Sequence, residues 1–304
     1  MTASEVWSVE APAKVNLFLR IGRRRPDGFH ELVSLFQALD LADRLRVRVA
    51  SGAGCEVTIE VDGPDLGPER DNLAVRAARA FGDAFPLPGP VHVALEKRIP
   101  AGAGLGGGSS DAAAVLRILS RVVEDLGGSV DGSELRRVAA GLGSDVPFFL
   151  EPSPLALGRG RGEVLTPLEP LPPRPVVVAL PPVHVATAWA YRTLAAARDR
   201  SGTAAAVAAP PLGERPAWEE VIGAMANDFE SVVPAAHDEV AASLDGLRGA
   251  GARGVLLSGS GGASFGLFDE PEEAERAARD LGERLGWPFL ATRTRATMPE
   301  PRAG

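Results

Sequence analysis

Several residue types that build particular kinds of site are scarce in this chain of 304 residues. It contains one cysteine, Cys55, which excludes an internal disulfide and a zinc site made of cysteines. We expect this residue to be a small buried hydrophobic group. The four histidines, at positions 30, 92, 184 and 237, do not have the spacing of metal ligands. The sequence therefore points away from disulfide-stabilised and zinc-dependent proteins.

Long hydrophobic runs and an excess of positive charge are also missing. No run of about 18 apolar residues occurs, and the first residues lack the basic and apolar segments of a secretion signal. The net charge is −8, whereas nucleic acids and anionic membranes require a basic surface. We expect a soluble, cytoplasmic protein that binds neither nucleic acid nor membrane and has no obligate protein partner.

Lysine is rare as well, because only Lys14 and Lys97 among the 32 basic residues are lysines. A compact ammonium and a planar guanidinium are not interchangeable at a site that handles phosphoryl groups. Both lysines are therefore candidates for a functional site. Lys97 stands at the end of a predicted strand, where a solvated charge is as good an interpretation as a role near a nucleotide.

The most informative segment is the run Pro100–Ser110, PAGAGLGGGSS, which contains five glycines. The alternating segment Val91–Leu95 before it predicts a strand, and the apolar segment Ala112–Leu119 after it predicts a helix. Glycine lets a phosphate approach the backbone, and a helix start offers unpaired N–H groups and the positive end of its dipole. We expect Ser109–Asp111 to cap this helix. The arrangement predicts a phosphate-binding loop.

The same glycine run can be compared with two other nucleotide-binding motifs, the Walker-type P-loop and the dinucleotide fingerprint. No lysine follows the glycines, which excludes a Walker-type P-loop. Gly102, Gly104 and Gly107 match the dinucleotide fingerprint G-x-G-x-x-G, with Glu124 and Asp125 about 20 residues further on. Those acids fall near a helix end, however, and the run does not open the chain. A nicotinamide-dependent oxidoreductase and a glycine loop that binds nothing remain as alternatives.

Two polar residues interrupt an apolar strand near the start of the chain. Lys14 and Asn16 lie two positions apart, so both side chains point to the same face. They are either a buried, hydrogen-bonded pair or groups that face a cleft. Asp145 lies between a helix end and the apolar segment Phe148–Leu150, where it needs a cation or a donor. With Lys14 it could accept a hydroxyl proton and stabilise negative charge, unless it is simply an exposed turn residue.

The remaining patterns predict an α+β chain. Strands are expected at residues 6–10, 15–21, 45–49, 55–61, 176–180, 254–257, 263–268 and 288–292, with 45–49 and 55–61 paired. Helices are expected from a cap at Asp71 and Asn72 to about residue 84, from Ser133, and at 187–198, 234–247 and 270–285. The proline-rich segment 165–175 is interpreted as a linker between domains 1–165 and 176–304. Residues 201–216 are expected to form a mobile loop.

Three segments resemble motifs of the GHMP kinases, the family of galactokinase, homoserine kinase and mevalonate kinase. They are Ala11–Leu17, Pro100–Ser110 and Leu257–Ala263. Further segments resemble motifs of the branch of this family that acts on a cytidine diphosphate-linked polyol. They are Pro26–His30 with Leu35–Gln37, and Gly143–Phe148. The resemblance implies a ribosomal-S5-like N-terminal domain and a ferredoxin-like C-terminal domain. It also implies that ATP is the phosphoryl donor and that Mg²⁺ is bound with ATP.

The same resemblance implies roles for residues that contact the reacting groups and the substrate. Lys14 and Asp145 match the catalytic pair. Positions that contact the substrate are matched by Asn16, Phe29, His30 and Tyr191. Phe29 stands where the family usually has tyrosine, which keeps a ring for stacking but removes a hydroxyl.

On the nucleotide side, Asn72 matches a position near the adenine, and Lys97 is assigned to the ATP site. The ATP phosphate loop is matched by Pro100, Ala101, Gly102, Ala103, Gly104, Leu105, Gly106, Gly107, Gly108, Ser109 and Ser110. Ser110 is also the candidate ligand of Mg²⁺. A mevalonate- or homoserine-type kinase of the same family, or a non-catalytic protein that keeps the fold, are alternatives to this function.

Overall fold

The computed structural model describes residues 5–52, 54, 56–201 and 207–304. Within these residues the chain forms one sheet of eight strands and one of four, with helices packed against them. The α+β fold expected from the sequence is confirmed.

The first sheet is built on a long hairpin of β1 (Val6–Arg24) and β2 (His30–Val49). We expected two strands in place of β1, but they form one because the pairing register shifts between Pro12 and Lys14. Such a bulge lets a proline, which has no N–H to donate, remain inside a strand. The first half of β2 was not predicted, since it is buried on both faces and lacks an alternating pattern.

Four further strands extend this sheet: β3 (Val57–Asp62), β4 (Val91–Glu96), β5 (Leu155–Arg159) and β6 (Val164–Pro167). β4 pairs with β2, and β3 pairs with β4 in parallel, while β5 pairs with β2 and β6. The predicted pairing of residues 45–49 with 55–61 is wrong, because β4 lies between them. Cys55 is outside the described residues.

This half of the chain has three helices: α1 (Leu73–Ala84), α2 (Gly107–Asp125) and α3 (Gly132–Leu142). α1 and α2 pack on the sheet, and α3 packs on those two helices. α1 begins as predicted, since the side chain of Asn72 accepts a hydrogen bond of 2.9 Å from the N–H of Ala74. α3 begins at Gly132, one residue before the predicted Ser133, and Asp131 is its N-cap, because the Asp131 carboxylate accepts from the N–H groups of Ser133 and Glu134. The alanine-rich α2 runs through the centre of the core with β1, β2 and α1 around it.

The second half of the chain contains β7 (Pro175–Ala179), α4 (Thr187–Ser201), α5 (Trp218–Ala224), β8 (Ala226–Asn227), α6 (Asp238–Gly249), β9 (Gly254–Leu257), β10 (Ser264–Leu267), α7 (Pro271–Leu285), β11 (Phe289–Arg293) and β12 (Arg302–Ala303). The second sheet has the antiparallel order β11-β7-β10-β9, with α6 and α7 packed on it. This is the expected ferredoxin-like arrangement. Other elements differ from the predictions, because α6 begins at residue 238 instead of 234, and α5, β8 and β12 were not predicted.

The second half also returns to the first sheet. β8 pairs in parallel with Phe18 and Leu19 of β1, and β12 pairs with Trp7 and Ser8. The division into residues 1–165 and 176–304 stays a prediction. Of the loop expected at 201–216, residues 202–206 lie outside the described part of the chain. Among the helices that the structure describes, none has the length and apolar character needed to cross a membrane.

Candidate active site

The glycine-rich run forms the connection between β4 and α2. α2 begins at Gly107 with Gly106 as its N-cap, so the expected capping by Ser109–Asp111 is wrong. Gly106 has a φ of 73°, a conformation that side chains disfavour, and a Cβ there would lie 2.9 Å from Cγ of Lys14. Glycine takes the cap position for these reasons, and the three polar residues are placed inside the first turns of the helix.

The loop separates two cavities. One, of about 230 Å³, is lined by Asn72, Lys97, Asp111 and the loop residues 100–108. The other, of about 420 Å³, is lined by loop glycines together with Lys14, Asn16 and Asp145. Backbone between residues 102 and 108 therefore borders both cavities. A group held by this backbone can be reached from either side.

Lys14 and Asp145 meet at the second cavity, as predicted. Nζ of Lys14 lies 3.4 Å from Oδ2 of Asp145. The same ammonium donates hydrogen bonds of 2.8 Å to Oδ1 of Asn16 and 2.9 Å to the carbonyl oxygen of Gly104. Asn16 in turn donates from Nδ2 to the hydroxyl of Ser34. Both interpretations of Lys14 and Asn16 hold, because the two side chains are buried and hydrogen-bonded and also line the cavity.

The side chains of Asp145 and Lys14 both line the cavity, but Asp145 is the more exposed of the two. Its side chain is 31% exposed, whereas that of Lys14 is 4% exposed. A carboxylate in this position can take or orient a hydroxyl proton. Asp145 is therefore not simply an exposed turn residue. The pair has the geometry of a base supported by a fixed cation.

Lys97 is neither solvated nor a free cation for phosphate. Its side chain is 3% exposed, and its ammonium contacts the carboxylates of Asp43 and, at 2.9 Å, Asp111. The other oxygen of Asp43 accepts from the N–H groups of Arg98 and Ile99 at 2.6 and 2.8 Å. This buried cluster joins β2, the end of β4 and the first turns of α2. It lines the smaller cavity through Lys97 and Asp111.

Aromatic rings form part of the wall of the larger cavity, where Tyr191 and Phe229 line it. Tyr191 lines it, with ring centroids 4.8 Å from His30 and 5.0 Å from Phe229. Burial, and secondarily the charge of Asp145, raises the pKa of Tyr191 to about 12. Burial, and then the positive charges of Arg24 and Arg198, lowers the pKa of His30. Both rings are therefore uncharged near pH 7.

Phe29 lies further out than the other predicted substrate residues. It is 49% exposed, and the guanidinium of Arg161 lies 4.6 Å from the centre of its ring. Arg161 itself lines the larger cavity. Arg161 could not be identified from the sequence, because it is one of many arginines and stands in a short turn between β5 and β6. Phe229 was missed for a similar reason, since it looks like an ordinary core residue.

The second glycine-rich segment, Leu257–Ala263, connects β9 and β10 and packs directly on the loop. The hydroxyl of Ser258 donates to the carbonyl oxygen of Gly104 at 3.1 Å, and the N–H of Ala263 donates to that of Ala103 at 3.3 Å. A Cβ at Gly104, whose φ is 83°, would lie 2.3 Å from the carbonyl oxygen of Ser258. The segment is thus a hairpin connection that supports the loop from the other half of the chain.

The hydroxyl of Ser110 is the predicted ligand of the magnesium ion. Its Oγ is buried and has no hydrogen-bond partner among the residues that the structure describes. An oxygen with unused lone pairs suits Mg²⁺, which binds through phosphates and a small number of protein oxygens. The described residues contain no cluster of three or more His, Cys, Asp and Glu side chains that could hold a metal ion.

Comparisons with known proteins agree with this geometry. Residues 72–151 match the model of the GHMP kinases N-terminal domain, and residues 208–286 match that of the GHMP kinases C-terminal domain. A relative from Salinibacter ruber named 4-diphosphocytidyl-2-C-methyl-D-erythritol kinase is 38% identical over 283 residues, covering 90% of this chain and 94% of the relative. A relative of the same name from Geobacter sulfurreducens is 41% identical over 288 residues, covering 94% and 98%.

Solved structures give the same result. A crystal structure of 4-(cytidine 5′-diphospho)-2C-methyl-D-erythritol kinase matches with a TM-score of 0.74 and 40% identity, covering 94% of this chain and 98% of that one. A mevalonate kinase of L. major in complex with R-mevalonate matches with a TM-score of 0.64 and 15% identity, covering 100% and 98%, and shares the fold alone. The chain belongs to the GHMP kinases and, within them, to the family of the 4-diphosphocytidyl-2-C-methyl-D-erythritol kinases.

Proposed function

We propose that this chain transfers the γ-phosphoryl group of ATP to the 2-hydroxyl group of 4-diphosphocytidyl-2-C-methyl-D-erythritol, a step of the non-mevalonate isoprenoid pathway. The observation that carries the proposal is the contact of Lys14 and Asp145 in a cavity that shares its glycine backbone with a second cavity. A kinase needs a donor site and an acceptor site that meet at the transferred group. These cavities provide that relationship.

ATP is assigned to the smaller cavity and the loop. The N–H groups of residues 104–108 and the N-terminus of α2 would hold the phosphates, since a helix N-terminus attracts anions. Asn72 and Lys97 would lie toward the base and ribose, because both line that cavity. Lys97 acts there through its hydrogen-bonded cluster and not as a free charge.

Asp145 and Lys14 are assigned to the chemistry. The hydroxyl oxygen of the acceptor forms a new bond to the γ-phosphorus, the bond from that phosphorus to the bridging oxygen of ADP breaks, and the hydroxyl proton passes to Asp145. Lys14 fixes the carboxylate and balances the charge. Such reactions depend on in-line positioning and charge stabilisation more than on covalent help from the protein.

Mg²⁺ bound with ATP would neutralise charge on the phosphates, and Ser110 is the residue assigned to hold it. The buried hydroxyl without a partner supports this assignment. Replacement by alanine should weaken Mg²⁺-dependent binding of ADP in a calorimetric titration, while binding of ADP without Mg²⁺ changes little. Equal affinities for Mg²⁺–ADP in the two proteins would contradict it.

The cytidine part of the acceptor is assigned to the aromatic wall. Tyr191 and Asn16 line the larger cavity, and His30 packs against the ring of Tyr191. Phe29 lies beside Arg161, which also lines the cavity. Aromatic faces bind a flat base by stacking. The uncharged state of both rings near pH 7 is compatible with this use.

The function is tested by measuring ADP release with three acceptors, the cytidyl-methylerythritol compound, mevalonate and homoserine. We expect turnover with the first alone, and inhibition of that turnover by CDP in competition with the acceptor. Equal turnover with mevalonate or homoserine would replace the proposal by another kinase of the same fold. Binding of NADH without any ADP release would favour the oxidoreductase alternative.

A further inference from the structure

The segment Asn227–Glu230 lies beside the active site, although none of the motifs in the sequence includes it. It begins in β8, where Asn227 pairs with Leu19 of β1, and continues into a short 3-10 helix, Asp228–Ser231. Asn227 is 6% exposed and lies between the strand that carries Lys14 and the hairpin that supports the loop. A buried amide in such a place requires hydrogen-bond partners.

Asn227 uses its whole amide group. Its Nδ2 donates two hydrogen bonds of 2.8 Å, to the carbonyl oxygens of Leu257 and Gly259, and its Oδ1 accepts one of 3.0 Å from the N–H of Phe229. These partners fix the orientation of the amide, because a carbonyl oxygen accepts and an N–H donates. Glu230 adds a fourth bond by accepting from the N–H of Leu257 at 2.8 Å. The first residues of the glycine hairpin are therefore held through their backbone.

The hairpin in turn contacts the phosphate loop at Gly104 and lies next to Lys14. Ser258, between the two carbonyls that Asn227 binds, donates to the carbonyl oxygen of Gly104, which also accepts from Lys14. Gly259 lies next to the catalytic pair's cation, since a Cβ on it would be 3.5 Å from both Nζ of Lys14 and Oδ1 of Asn16. A shift of this hairpin would move the support of both Lys14 and the phosphate loop.

We propose that Asn227 is a positioning residue for phosphoryl transfer, which holds residues 257–259 in place and through them sets Lys14 and Gly104 relative to each other. The proposal rests on the kinase function proposed above. Asn227 does not line the larger cavity, so it acts through the hairpin and not by contact with substrate. A small misplacement of reacting groups is enough to reduce turnover by about 100-fold.

Replacement Asn227→Asp tests this, because aspartate has the same shape but would place oxygen against the carbonyls of Leu257 and Gly259. Glu230→Gln is the matched control, since a glutamine oxygen can still accept from the N–H of Leu257. For each protein we would measure kcat and the KM for the acceptor by ADP release, and the stoichiometry and Kd of CDP by calorimetry. One CDP bound per chain shows that the molecules counted in kcat are folded.

We expect Asn227→Asp to lower kcat by about 100-fold, with the KM for the acceptor and the Kd for CDP within about twofold of the parent, and Glu230→Gln to resemble the parent. A kcat within threefold of the parent, or a loss of CDP binding that parallels the loss of turnover, would overturn the proposal. If Asn227→Asp does not fold, Ser258→Ala removes the next link, and an unchanged kcat in that variant overturns the proposal. Absence of turnover in the parent would instead refute the proposed function.

Discussion

The ammonium of Lys97 lies 2.9 Å from a carboxylate oxygen of Asp111, and this contact joins the two ends of the phosphate loop. Lys97 follows the strand that leads into the loop, and Asp111 lies in the helix that leads out of it. Asp43 contacts the same ammonium from β2. Two carboxylates thus share one cation in a site where all three side chains are at most 3% exposed.

This imbalance of charge predicts a pH dependence of stability. Burial, and then the negative charge of Asp43, raises the pKa of Asp111 to about 8 despite the opposing effect of Lys97. In the unfolded chain an aspartate has a pKa of about 3.9. Between these values the folded state binds more protons, so this group makes the free energy of unfolding decrease as pH rises. Asp111→Asn cannot ionise and should lack that decrease.

Urea unfolding of the parent and of Asp111→Asn at pH 5, 6.5 and 8 measures the effect. The difference in unfolding free energy should move in favour of the variant with rising pH, by about 1 kcal/mol or more over this range. Parallel pH profiles for the two proteins would show that Asp111 does not retain a proton in the folded state.

Removal of the cation from the same cluster should be more damaging. Lys97→Met leaves Asp43 and Asp111 buried without a positive partner, which costs about 3–5 kcal/mol of unfolding free energy. Arg98→Ala is the control, because Arg98 forms an exposed ion pair with Glu96 and such pairs contribute less than about 1 kcal/mol. Similar losses for the two variants in urea unfolding would contradict the account of Lys97.

The close approach of the two halves at Gly104 predicts a specific effect of one added methyl group. Gly104→Ala would place Cβ 2.3 Å from the carbonyl oxygen of Ser258 on a backbone with a φ of 83°. We expect loss of ATP-dependent turnover by more than about tenfold, since the loop must move away from the hairpin. Gly141→Ala in α3 is the control, because nothing lies within 4 Å of its Cβ, and alanine there should stabilise the helix by up to about 1 kcal/mol. Equal turnover of the two variants would show that the loop tolerates the change.

Two substitutions of Tyr191 distinguish a role of its aromatic ring from a role of its hydroxyl group. Tyr191→Phe keeps the ring that contacts His30 and Phe229, so it should leave kcat and the KM for the acceptor nearly unchanged. Tyr191→Ala removes the ring that contacts His30 and Phe229. We expect the KM for the acceptor to rise by about 2- to 12-fold, since the lost stacking is worth about 0.5–1.5 kcal/mol. The KM for ATP should not change in either variant. A large effect of Tyr191→Phe would assign the hydroxyl a role that its position does not suggest.

The parts of this site that could be predicted are those with a local signature. The glycine run between a strand and a helix indicated the loop, and the scarcity of lysine directed attention to Lys14, which does contact Asp145. The partners of Lys97 could not be predicted, because Asp43 is 54 residues away and lies in a strand whose two buried faces conceal its alternation. Asn227 and Arg161 gave no signal either, since their positions depend on how the second half of the chain returns to β1 and on a short turn. The order of β3 and β4 was missed for the same reason, as parallel pairing between distant segments leaves no local pattern.

The central claim is that Asp145, held by Lys14, handles the proton of the hydroxyl group that attacks ATP. The most direct measurement is kcat for Asp145→Asn, which has nearly the same shape as the parent but cannot accept the proton, with binding of CDP and Mg²⁺–ADP measured on the same protein. We expect kcat to fall by about 100- to 1,000-fold while both ligands still bind. A kcat within tenfold of the parent, with both ligands bound, would contradict the claim.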